Sequence, residues 1–336
     1  MMLNEINEIP VGFVEADHKE MLRLLKSPTL IHLKGEKPNP LFITTLLHGN
    51  EDTGWQAMRE LLKKFRDQEL PRALSLFIGN VDAAREGERF LAGQPDYNRV
   101  WEDIAGNEAL PERQMMQQVV DTMRERKVFA SVDVHNNTGL NPHYACVREL
   151  ESHHLHLATL FSRTVVYFRT PPGVQTAPFA ELCPSVTIEA GQAGQSHGLE
   201  HTLAFLDACL HLSHLPDHPV PAHGIDLYHT VAVCKVPAEA SFGFGGDRHD
   251  LNFVEDLDHL NFRELPVGTT LARVPGDQLR LEVRDESGAE VTDRYFEIAD
   301  GELRTTLSFM PSMLAMDETA IRQDCLCYLM ERYPGP

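Results

Sequence analysis

His48-Gly-Asn-Glu51 stands at the end of the apolar run Leu41 to Leu47, and Asp133-Val-His135-Asn136 closes a second such run. Polar motifs at the ends of apolar runs fit an open α/β sheet, which binds ligands at the carboxyl ends of its strands. His48 and Glu51 are three residues apart where a strand gives way to a helix, so one turn can aim both at one point. His135 lies far along the chain and must come from another strand of the same sheet. Two imidazoles and one carboxylate form the ligand set of a catalytic zinc, which keeps a further position open. Taken singly, H-x-x-E is a common helix-surface pattern, and Asp133 with Asn136 can simply cap a strand end. A third element decides between these readings. Thr187-Ile-Glu189-Ala-Gly191 closes a further β-rich run beginning at Ser185. A carboxylate there is a poor core residue, yet it suits a general base beside a metal-activated water.

With these motifs in order, the chain resembles a known family. His48-Gly-Asn-Glu51-Asp-Thr-Gly54, Asp96-Tyr-Asn98-Arg99, Asp133-Val-His135-Asn136 and Ile188-Glu189-Ala-Gly191 are similar to the motifs of the succinylglutamate desuccinylase/aspartoacylase family, which belongs to the carboxypeptidase-like zinc hydrolases. The resemblance covers roughly residues 40 to 215 and is only architectural beyond about 220. It implies one zinc ion per chain on His48, Glu51 and His135, with Glu189 as general base and acid. It also implies Arg89 at the scissile carbonyl, and Asn98, Arg99 and Asn136 against the substrate, an acylated amino acid or similar small acidic amide. Two departures limit the inference. The family's C-terminal tyrosine stretch reads Asp317-Glu-Thr-Ala-Ile321 here, and the desuccinylase signature after the metal-binding glutamate is not matched, so the acyl group and the amino acid stay open.

Composition narrows the class. The 336 residues suffice for one large domain and a smaller one. A formal charge of −20 repels nucleic acid and anionic membrane, and no basic cluster overrides it. The same field repels an anionic substrate, which gives Arg89 and Arg99 a physical reason to exist. No run reaches the ~18 apolar residues needed to span a bilayer, and the N-terminal residues lack the pattern of a secretory signal. Six cysteines without framework spacing read as buried thiols in a reducing compartment. The expectation is a cytoplasmic enzyme with a small-molecule substrate and neither nucleic-acid nor membrane partner; a homo-oligomer is compatible with the sequence.

Helical periodicity is expected at 17–26, 53–68, 111–127, 155–161 and 198–215. Strands are expected at 29–33, 41–47, 74–79, 129–135, 165–168 and 185–189, with a turn over Gly35–Pro40. This alternation predicts a mixed α/β sheet of the carboxypeptidase-like kind, covered by helices on both faces. Composition shifts at Pro216–Ala222. Short alternating runs follow, among them Thr230–Val236 and Gln278–Val283, so residues 1–218 are assigned to an α/β zinc-hydrolase domain and 219–336 to a smaller β-rich domain.

Residues 80–101 read as a long, aperiodic loop, a type that is commonly functional. It carries Arg89 and Arg99, with Arg85 competing for the role given to Arg89. Asp133 is placed off the metal face, although a task holding an imidazole through its second nitrogen stays open. His153, His154 and His156 read as a solvated helix surface, and His143 is expected at the pocket rim. Two further readings stand beside the deacylase: a zinc carboxypeptidase with a longer cleft, and a zinc-binding protein without catalysis. The presence of Glu189 and both arginines argues against the last.

Overall fold

Alternating apolar side chains decide the architecture. On one strand Leu41 and Ile43 pack into one buried cluster with Trp55, Met58 and Leu61, while Phe42 between them packs into another with Met116, Val119 and Phe179. A strand buried on both faces, with successive side chains pointing opposite ways, requires cover on both sides of its sheet.

The computed structural model describes residues 3–275 and 280–334. Its first nine strands are β1 (Asn4–Ile6), β2 (Thr29–Leu33), β3 (Gly35–Thr45), β4 (Leu70–Ile78), β5 (Ala130–Asn137), β6 (Tyr144–Val147), β7 (Thr164–Tyr167), β8 (Ser185–Gln192) and β9 (Asp226–Lys235). After them come β10 (Phe242–Phe244), β11 (Leu251–Phe253), β12 (Thr270–Arg273), β13 (Glu282–Asp285), β14 (Phe296–Ala299), β15 (Glu302–Thr305), β16 (Met310–Ser312) and β17 (Cys327–Arg332). The large sheet runs β1-β2-β4-β3-β5-β8-β6-β7-β9-β17-β16, with β13 also on β9. Its centre, β4-β3-β5-β8, is parallel, whereas β6 runs antiparallel to β8 and β17 antiparallel to β9. The smaller sheet, β10-β11-β12-β15-β14, has its own apolar cluster around Phe242, Phe253, Tyr295 and Phe309.

The helices are α1 (Met21–Leu25), α2 (Thr53–Lys64), α3 (Val81–Glu86), α4 (Pro111–Glu125), α5 (Ser152–Phe161), α6 (Thr176–Ala180), α7 (Ser196–His211), α8 (Thr292–Tyr295) and α9 (Glu318–Gln323). In α4, Pro111 occupies the first turn, where no backbone N–H is missed. Met115, Met116, Val119, Val120 and Met123 then form one buried stripe. Across the sheet, α2 packs against α7. Mixed sheet, flanking helices and a β-rich C-terminal part agree with the predicted fold class.

Three expectations need correction. Gly35–Pro40 is not a turn but the start of β3: Gly35 and Lys37 pair with Leu70 and Arg72, and the irregularity the prolines bring is absorbed as a register shift before Leu41. The loop 80–101 contains α3, too short to show a period but capped by the Asn80 side chain and ended by Gly87 in the left-handed region. His154 is not solvated; it is buried and its ring lies against the Ser185 backbone. Of the predicted run Gln278–Val283, residues 278 and 279 lie outside the described residues, and β13 begins at Glu282. β9 pairs parallel to β7, so residues beyond 218 extend the large sheet as well as building the small one. Among the described residues no helix is long and apolar enough to cross a membrane.

Candidate active site

Chain geometry at the end of β3 creates the site. Leu46 takes a positive φ of 55°, rare for a β-carbon residue, and turns the chain so that His48 to Glu51 face β5. Gly49 is required by close approach: a Cβ there would lie 2.2 Å from the Ala83–Ala84 backbone of α3. Parallel pairing sets Thr44 opposite Asp133, and His135 opposite Glu189. The three sequence motifs therefore meet at the carboxyl ends of β3, β5 and β8.

Three donors converge. His48 Nδ1 is 2.7 Å from Glu51 Oε1, and His135 Nδ1 is 2.7 Å from Glu51 Oε2. One ligand atom from each of these buried residues lies within 4.8 Å of the others, the grouping among the described residues suited to holding a metal ion. The opposite nitrogens are anchored: His48 Nε2 lies 3.0 Å from Asp96 Oδ1, and His135 Nε2 lies 2.8 Å from Asp133 Oδ2. Carboxylates behind the rings fix the tautomer and leave both Nδ1 lone pairs for a cation. Asp133 thus shares a face with His135, as residues i and i+2 of a strand do; placing it off the metal face was incorrect. Thr44 donates its hydroxyl to the other Asp133 oxygen.

Charge at the site is dense and buried. Burial opposes ionisation of Glu51, yet His48 and His135 hold its carboxyl well below the usual range. Burial likewise opposes a charged His135, but Asp133 and Glu51 push it well above its ordinary value. Glu189 behaves oppositely. Burial, with Glu51 and Asp133 adding repulsion against the pull of His135 and Arg89, pushes its carboxyl up to about 8. Its Oε2 is buried without a hydrogen-bond partner.

Arg89 faces this cluster, with Nη1 3.5 Å from Glu51 Oε1 and Nη2 3.2 Å from Asp96 Oδ2. Arg85 points to solvent and pairs with Glu86. Arg99 donates to its neighbour's carbonyl, Asn98 O, and reaches Asp324 Oδ1 at 2.9 Å. The two asparagines expected against substrate are engaged within the protein. The Asn98 amide lies 3.2 Å from His135 Nε2, and its oxygen accepts from the Gln175 N–H. The Asn136 side chain ties Thr53 at the start of α2 to the Gly191 carbonyl, while its backbone N–H donates to Glu51 Oε2. Both brace the ligand loops. His143 stacks on His201 and His197 on the other side of β6, and its neighbour Tyr144 lines the chamber instead.

His48, Glu51, His135 and Glu189 stand at one end of an inner chamber of about 90 Å³, walled by Val166, Phe168, Val174 and Met313. Glu51, Arg89, Asn136 and Asp324 also border an outer cavity of about 620 Å³. The C-terminal part contributes Thr230, Ser312, Met313, Asp324 and Tyr328 to the inner wall. Sequence reading gave no role to Asp96, although it lay inside a quoted motif, and carried no signal for Asp324, Tyr328 or Cys146.

Comparison with known proteins identifies the fold and the family. Residues 38–212, more than half of the chain, match the model of the succinylglutamate desuccinylase/aspartoacylase catalytic domain. No curated protein sequence is matched. Among solved structures, succinylglutamate desuccinylase from Vibrio parahaemolyticus superposes with a TM-score of 0.58 at 13% identity, over 90% of this chain and 86% of that one. The desuccinylase from Chromobacterium violaceum gives 0.54 at 15% identity, over 89% and 87%. Murine aminoacylase 3 gives 0.56 at 14% identity, over 89% of this chain and 96% of that one. At such identities the structures share a fold, and the family assignment rests on the match to the catalytic domain. The chain belongs to the succinylglutamate desuccinylase/aspartoacylase family.

Proposed function

We propose that this chain is a zinc-dependent hydrolase that cleaves the amide bond of a small N-acylated amino acid. One observation carries the reading: a buried His-Glu-His donor set stands beside a buried carboxyl whose outer oxygen has no partner. The donors fit zinc better than magnesium or calcium, which prefer all-oxygen shells. When bound, such an ion supplies Lewis acidity toward water and a carbonyl oxygen.

The chain's own residues supply the rest. Asp96 and Asp133 hold the two imidazoles so that both Nδ1 atoms stay aimed at the ion. Glu189 accepts a proton from the attacking water and returns it to the departing amine. Burial raises the proton affinity of that carboxyl, and the positive charge of a bound ion would keep it ionised to receive the proton. Arg89 stabilises charge on the carbonyl oxygen as it develops, and Arg99 receives a substrate carboxylate. Asn98 and Asn136 act as positioning residues, since their side chains are engaged by the Gln175 N–H, by Thr53 and by the Gly191 carbonyl. An inner chamber of about 90 Å³ favours a small acyl amino acid over a peptide. Residues 219–336 are proposed to cap the α/β domain, consistent with the wall they supply.

Metal analysis of purified protein, followed by assay of the zinc-loaded enzyme on a panel of acyl amino acids, tests this. About one zinc per chain is expected, lost in a His48→Ala/His135→Ala double variant. Full metal content in that variant would sink the ligand assignment.

A further inference from the structure

The inner chamber is lined by a carboxylate, Asp324, that stands among its arginines. Among the described residues, Arg89 and Arg99 are the cationic side chains of lysine or arginine type that line it, and Asp324 stands between them. Its Oδ1 is 2.9 Å from Arg99 Nη2 and its Oδ2 3.8 Å from Arg89 Nη2. The Tyr328 hydroxyl lies 3.5 Å from Oδ2. Burial opposes ionisation of Asp324, but Arg99 and Arg89 hold its carboxyl below the ordinary range, so it is an anion.

The remaining charges leave little for a second anion. Arg89 is already shared with Asp96 and Glu51, and Asp133 stands behind His135. Two guanidiniums thus share Glu51, Asp96 and Asp324, an excess of negative charge. Val166, Phe168, Val174 and Met313 add apolar surface to the lining and no charge.

We propose that Asp324 is a specificity-determining residue, an internal carboxylate that shares the guanidinium pair and restricts the enzyme to substrates with a single carboxylate. Dicarboxylates, whether acidic in the amino acid or in the acyl group, bring a charge that meets Asp324 instead of a free arginine. This rests on the deacylase reading above and narrows its substrate class.

The test compares zinc-loaded wild type with Asp324→Asn and Asp324→Glu. N-acetylmethionine serves as monocarboxylate, and N-acetylaspartate and N-succinylmethionine as dicarboxylates. Wild type should prefer the monocarboxylate. Asp324→Asn should move the ratio of kcat/KM toward the dicarboxylates by roughly 10- to 100-fold, as expected for removing one charge about 6–12 Å from the added carboxylate at an effective dielectric of about 20, and Asp324→Glu should keep the wild-type preference. An unchanged ratio in Asp324→Asn, or a wild-type preference for dicarboxylates, overturns the proposal. If no acyl amino acid is turned over, the deacylase reading fails, and calorimetric binding of butyrate against succinate to the zinc-loaded protein still judges Asp324. Wild type binding butyrate more tightly supports it, with or without a folded Asn variant; succinate binding more tightly overturns it.

Discussion

Replacing Glu189 by glutamine should separate what this carboxyl costs the fold from what it does in the reaction. Its side chain is nearly enclosed, its outer oxygen lacks a partner, and its carboxyl is pushed up from 4.5 to about 8. A carboxyl with a folded-state value above its unfolded value stabilises the fold below about pH 4.5, and that stability is lost as pH rises through about 8. Relative to a carboxyl that never ionises, the linkage amounts to on the order of 1 kcal/mol at pH 5 and on the order of 5 kcal/mol at pH 9. Glutamine is uncharged at both. Metal-free Glu189→Gln should therefore gain on metal-free wild type by roughly 4 kcal/mol more at pH 9 than at pH 5. A chain of 336 residues responds by roughly 1.4 °C per kcal/mol, so the difference in melting temperature should widen by about 6 °C.

Thermal unfolding of chelator-treated wild type and variant at the two pH values measures this directly. Comparing the pair cancels the groups that titrate in both proteins without interacting with Glu189. The zinc-loaded variant should keep its metal yet lose about 10²–10⁴-fold in kcat, the usual contribution of a positioned acid–base group. A stability gain that does not grow with pH would refute the burial argument. Turnover within tenfold of wild type would refute the catalytic one, and the two refutations are independent.

Other perturbations address the supporting residues. Asp133→Asn removes the carboxylate behind His135; zinc affinity, measured by competition with a chelator, should fall roughly 10- to 100-fold with the fold intact. Arg89→Ala should depress kcat for charged and neutral substrates alike, because an oxyanion contact acts in the transition state. Arg99→Ala should mainly raise KM for carboxylate-bearing substrates. It also strips Asp324 of its nearest partner, leaving a buried charge that repels a substrate anion, so the increase should exceed about tenfold. Equal losses on neutral amides would mean that Arg99 does not select an acid.

Sequence carried the catalytic centre because short-range rules govern it. A histidine and a glutamate three apart at a strand end, a histidine closing a second run and a glutamate closing a third all sit where parallel strands deliver side chains to a common edge. Register was the one further fact needed, and burial of alternate residues such as Leu41 and Ile43 against Phe42 fixes it. The errors had local causes. Pro38 and Pro40 look like turn residues, but a register shift lets β3 carry them. Helix α3 spans only six residues, held by one side-chain cap and a left-handed glycine. His154 sits among polar neighbours in sequence and is buried because α5 lies against β8.

The chamber wall was not legible for a different reason. Asp324 and Arg99 are 225 positions apart, and no spacing rule connects them. They meet because β9 joins β7 in parallel and β17 then pairs antiparallel with β9, and the chain's return along β17 brings Asp324 and Tyr328 into the chamber wall. That return places a carboxylate and Tyr328 against arginines from the loop after α3. The proposed metal site is therefore a property of the central parallel strands, whereas the proposed charge selection belongs to the sheet's far extension. The two can vary separately: a substitution at Asp324 should alter which acyl amino acid is accepted while leaving His48, Glu51 and His135, which it does not touch, free to bind zinc as before.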